Sequence, residues 1–66
     1  MKFYAWKIWT ALSESTRLAL DGGKATRLTA RITIRRVDHA DGQPPTIALI
    51  EYESDQPMTR ETLDAL

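Results

Sequence analysis

Residues 24–37, KATRLTARITIRRV, alternate almost without a break. Leu28, Ala30, Ile32 and Ile34 fall on one side of an extended chain, and Arg27, Thr29, Arg31, Thr33 and Arg35 on the other. Successive side chains of a strand point to opposite faces, so a period of two reads as a half-buried β-strand. The β-branched Thr, Ile and Val residues suit a pleated surface better than a helix. The stretch holds five basic residues, Lys24, Arg27, Arg31, Arg35 and Arg36, and no acid.

Downstream, DHADGQPP (38–45) carries loop punctuation, Asp-Gly and Pro-Pro, before a second β-rich run, TIALIEYE (46–53). Pairing Ile34 with Ile50 brings Ile32 to Tyr52 and Arg36 to Ala48 on one face. On the other it brings Arg31 to Glu53, Thr33 to Glu51 and Val37 to Ile47. One register works on both faces, as a hairpin requires. Beyond it, Ser54-Asp55-Gln56-Pro57 ends the strand, and the spacing predicts a short helix over 59–65 with Met58, Leu63 and Leu66 packed on the sheet.

Upstream, residues 2–20 admit two readings. As strands, a turn at Ser13-Glu14-Ser15 sets Leu12 against Thr16, Thr10 against Leu18, Ile8 against Leu20 and Lys7 against Asp21. Asp21-Gly22-Gly23 is then a second hairpin turn. As a helix, the same glycines are its C-terminal stop. The aromatic-rich start, FYAW, favours the strands.

The expected fold is therefore α+β, mainly β: a four-stranded antiparallel meander with a short C-terminal helix, forming a dimer. The alternative is α-β-β-α with residues 3–21 helical. The predicted core face holds Tyr4, Trp6, Ile8, Leu18, Leu20, Leu28, Ile32, Ile34, Ile50 and Tyr52. Phe3, Trp9, Val37, Ile47 and Leu49 fall on the other face, and one short helix cannot cover both. An exposed apolar patch marks an interface, hence the expected dimer, sheet on sheet or edge to edge.

Sixty-six residues make one domain, 1–66, near the lower limit for folding without staples. With no cysteine there is no disulfide and no thiolate metal site. No apolar run reaches transmembrane length, and Lys7 interrupts the apolar start, so the expected location is cytoplasmic. Net charge is zero but segregated: +1 over residues 1–23, +5 over 24–37 and −6 over 38–66.

Candidate chemistry is sparse. His39 sits in Asp38-His39-Ala40-Asp41, short of the three or four ligands a metal site needs. Ser13, Ser15 and Ser54 lack a nucleophile context, and Gly22-Gly23 lacks the phosphate-loop pattern. Glu51 and Glu53 lie two apart on one strand face, where pairing with Arg31 and Thr33 is the simpler fate. The chain reads as a non-enzyme without cofactor or metal. Arg27, Arg31 and Arg35, spaced roughly 13 Å apart along one strand, form the sharpest feature.

Two functions follow. In the first, a β-rich homo-oligomer acts as a regulator or inhibitor of the kind carried on mobile elements. It binds itself and a further protein through Trp9, Arg27, Arg31, Arg35, Ile47 and Leu49. In the second, Lys24, Arg27, Arg31, Arg35 and Arg36 bind nucleic acid. Zero net charge favours the first.

Overall fold

In the computed structural model, which describes residues 1–66, the chain runs β1 (Lys2–Ile8), α1 (Glu14–Ala19), β2 (Thr26–Arg27), β3 (Ile32–Asp38), β4 (Ile47–Glu53) and α2 (Arg60–Ala65). A 3-10 turn, Trp9–Ala11, joins β1 to the approach to α1. The class is α+β, mainly β, with four antiparallel strands and a short C-terminal helix. The strands form one sheet in the order β1-β4-β3-β2. Consecutive strands β2, β3 and β4 meander, while β1 joins the far side of β4 instead of pairing with the segment that follows it.

The β3–β4 register follows expectation through Ile32–Tyr52, Thr33–Glu51 and Ile34–Ile50. A bulge then advances β3 by one residue, so Arg36 faces Leu49 and Val37 faces Ala48. The extra residue is Arg35. Without it Val37 would point to solvent; with it Val37 returns to the inner face and both arginines stay outside.

Two expectations are corrected by local hydrogen bonding. Residues 24–37 are not one strand: Thr26–Arg27 folds back on β3, with Thr26 opposite Ile34 and Arg27 opposite Thr33. In the intervening turn the Leu28 and Thr29 amides donate to the Ile32 carbonyl at 2.9 and 3.1 Å. The Thr29 hydroxyl accepts from the Arg31 and Ile32 amides at 3.1 and 3.0 Å. A threonine oxygen thereby makes a turn that otherwise looks like strand sequence.

Residues 2–20 are neither two strands nor one helix. They are strand, turn and helix. Ser13, read as the middle of a hairpin, is the N-cap of α1, accepting from the Thr16 amide at 3.2 Å. Thr16 and Leu20, four apart, are buried on the inner side of α1, and Leu12, extended just before the N-cap, is buried beside them. Leu18 points away at 74% exposure, and Lys7 does not meet Asp21; its Nζ donates to the Leu63 carbonyl of α2 at 2.6 Å. Helix α2 begins as expected, with the Thr59 hydroxyl accepting from the Thr62 amide at 3.1 Å.

The core comprises Leu12, Leu20, Ile32, Ile34, Ala48, Ile50 and Leu66. Trp9, Leu28, Val37, Tyr52, Met58 and Leu63 pack around it. Directly opposed residues of antiparallel strands share a face. Ala5 opposite Ile50 and Phe3 opposite Tyr52 therefore lie inside. Tyr4, Trp6 and Ile8, expected in the core, are consigned to the outer face. The molecule measures 38 × 18 × 17 Å between Cα extremes. That cross-section fits one sheet and one layer of helix, spaced about 10 Å.

Candidate functional site: the bare sheet face

The outer face can be read in rows across the sheet. Lys2 lies opposite Glu53, Tyr4 opposite Glu51, Trp6 opposite Leu49 and Ile8 opposite Ile47. Continuing across β4, Thr33 faces Glu51, Arg36 faces Leu49 and Asp38 faces Ile47. Arg27 closes the second row beside Thr33. Tyr4, Trp6 and Ile8 are 58, 51 and 62% exposed; Leu49 and Ile47 are half-buried beside them. One half of the face, over β1 and β4, is thus an apolar strip, and the other half is polar and charged.

Charge on that second half is largely paired. Arg35 Nε lies 3.1 Å from Glu51 Oε2, and Arg36 Nε donates to Asp38 Oδ1 at 2.5 Å. Glu51 is buried at 7% exposure, and its Oε2 receives no directed hydrogen bond, so the Arg35 contact is charge pairing alone. Arg35→Ala should therefore cost about 1 kcal/mol in urea unfolding, because the carboxylate loses its counter-charge. Adding Glu51→Val should recover most of that loss, a coupling that a double-mutant cycle measures.

The expected site residues scatter. Ile47 and Leu49 do lie on the bare face. Trp9, expected to face outward, is half-buried against the core, and Trp6 holds the exposed position instead. The single-strand arginine row does not exist, since Arg27 belongs to β2, Arg31 to the turn before β3 and Arg35 to the bulge. Arg31 meets Glu53 through backbone, the Glu53 amide donating to the Arg31 carbonyl at 2.9 Å. Lys24 is exposed just before β2. The signal that could have found Tyr4, Trp6 and Ile8 is the match of β1 to β4, with Lys2 opposite Glu53 and Ala5 opposite Ile50.

The surface has one depression, about 290 Å³ and open to solvent, lined by Met1, Arg31, Glu53, Ser54 and Asp55. His39 is exposed in the β3–β4 loop, its Nδ1 3.4 Å from the Ala40 carbonyl oxygen. No three His, Cys, Asp or Glu side chains converge in metal-binding geometry. No helix is long and apolar enough to cross a membrane. Comparison with protein-family models, curated proteins and solved structures gives no match for this chain.

Proposed function

We propose that this chain is a non-enzymatic protein-interaction module whose working surface is the outer face of the sheet. The observation that carries the reading is the exposed strip of Tyr4, Trp6 and Ile8 beside Ile47 and Leu49. Water-facing strands ordinarily alternate to polar residues on the solvent side. Three large apolar side chains in succession on that side cost solubility and contribute nothing to the monomer's core, so they support a binding role. The paired arginines at the edge of the strip supply orientation more than affinity.

Trp6→Ser tests this reading. Affinity for a captured protein partner should fall about tenfold or more, as for a central aromatic anchor, while far-UV circular dichroism stays unchanged. A partner held equally well by Trp6→Ser, in nuclease-treated lysate and again with purified components, would overturn it.

A nucleic-acid reading has one observation in its favour. Tyr4 and Trp6 are open for base stacking on a face that also carries Arg27, which has no ion-pair partner. It predicts oligonucleotide binding that weakens steeply with salt and is lost in Arg27→Glu. The ion pairs of Arg35 and Arg36 leave few free cations for phosphates, so the protein reading ranks first.

A further inference from the structure

The two edges of the sheet are treated differently. β2 spans only two residues, and such a short edge strand offers little to pair with. β1 spans seven residues with no proline, glycine or bulge. Its only protective charge on the inner face is Lys7, whose ammonium is engaged by α2 carbonyls at 2.6 and 3.4 Å.

The hydrogen-bond phase of β1 can be worked out. The Ser54 amide donates to the Met1 carbonyl at 3.0 Å, and the Trp9 amide donates to the Thr46 carbonyl at 2.9 Å. Bonded pairs alternate along an antiparallel ladder, so Phe3, Ala5 and Lys7 also turn their backbone groups towards β4. Lys2, Tyr4, Trp6 and Ile8 turn theirs to the open edge. The residues with unspent backbone groups are thus the same residues whose apolar side chains are exposed.

We infer that a second copy of this chain occupies that edge, β1 pairing antiparallel with β1 about a two-fold axis at Ala5. The inference rests on the interaction-surface reading and names its first partner. Among two-fold registers that bring the open-edge groups together, centring on Ala5 pairs Lys2 with Ile8 and Tyr4 with Trp6, each twice. That uses all four open-edge residues of both strands. Centring on Tyr4 or on Trp6 strands one of them.

Side chains agree with this register. Tyr4 and Trp6 of opposite copies form cross-strand aromatic pairs on the outer face. Lys2 falls opposite Ile8 and Lys7 opposite Phe3, so no two lysines are opposed. Zero net charge gives the copies no overall repulsion. The small Ala5 side chains meet on the axis. Edge pairing buries the two β1 backbones and the facing flanks of Tyr4, Trp6 and Ile8, and it leaves the outer faces of those side chains joined in one apolar strip across the two copies.

The chain has no cysteine, which permits a direct test. Residues on the axis form a non-hydrogen-bonded pair with Cα atoms about 4.5 Å apart, within disulfide range. Ala5→Cys should therefore give a covalent dimer under mild oxidation, while Ser15→Cys on the exposed side of α1 should not. Sedimentation should show wild type as a dimer. Tyr4→Pro removes an amide that faces the open edge and leaves the β1–β4 ladder intact. It should weaken the dimer by about tenfold or more with its circular dichroism unchanged. If Tyr4→Pro fails to fold, Trp6→Glu serves the same purpose.

A wild-type protein that is monomeric at high concentration overturns the inference. So does a dimer in which Ala5→Cys crosslinks no better than Ser15→Cys. In either case, a protein partner still lost in Trp6→Ser would leave the interaction reading standing with a different occupant.

Discussion

Ile34→Ala is expected to leave the protein largely unfolded at room temperature. Ile34 is fully buried at the sheet's centre, opposite Ile50 on β4 and Thr26 on β2. Truncating a buried isoleucine costs about 2–5 kcal/mol, the upper part of the range applying where the surroundings cannot collapse. Here Ile34 and Ile50 are flanked by a one-layer helical cover, and a core of this size supplies only about 3–5 kcal/mol in all. The substitution therefore consumes most of the available stability. Urea titration followed by circular dichroism checks it; a wild-type-like midpoint would show that the core lies elsewhere. Since partner binding adds to apparent stability, titrations of variant and wild type must be run at equal concentration.

Gly23→Ala is the second large effect, expected to cost about 2–3 kcal/mol. Gly23 has φ +88°, a conformation that L residues with a Cβ adopt only under strain. It is also buried, and a Cβ there would sit 2.9 Å from Cγ of Pro45, with Val37 and His39 at 3.5 and 3.6 Å. A proline ring cannot swing away as a long side chain would, so the strain and the clash add. Gly22→Ala provides the control. Its φ is +70° but nothing lies within 4 Å, so only the backbone term of about 1 kcal/mol should appear. Equal losses for the two variants would mean that Pro45 does not pack against Gly23 in the turn that follows α1.

Gly23 also illustrates which parts of this fold could be read from sequence. The glycine pair was legible as a stop, since few residues accept positive φ, although a helix end and a hairpin turn use it alike. The β3–β4 pairing was legible as far as Ile34, because apolar and charged partners matched on both faces at once. It failed at Arg35, where a bulge inserts a residue that no periodicity announces. Thr29 concealed a turn because threonine both favours strands and closes turns with its hydroxyl. Ser13 concealed a helix start for a related reason, its capping role looking like turn composition.

The site was harder to read than the fold. β1 has apolar residues on both faces, so alternation divides Phe3 and Ala5 from Tyr4, Trp6 and Ile8 without saying which set is buried. Long-range pairing decides that. Once Ala5 stands opposite Ile50, the larger aromatic set must face out. The arginines misled for a similar reason: three residues four apart look like one row, but a turn and a bulge send them to three different places. Ile47 and Leu49 were placed correctly because the bulge lies in β3 and not in β4, so alternation from the correctly paired Ile50 fixes their face whatever stands opposite them.

Residue-resolved amide hydrogen exchange along β1, followed by NMR across a concentration series, tests the role of this edge most directly. In dilute protein the Phe3, Ala5 and Lys7 amides, bonded to β4, should exchange slowly, and those of Tyr4, Trp6 and Ile8 should exchange fast. At high concentration the second set should become protected as the open edge is occupied. Tyr4, Trp6 and Ile8 amides that exchange equally fast at every concentration would mean that no second copy pairs with β1.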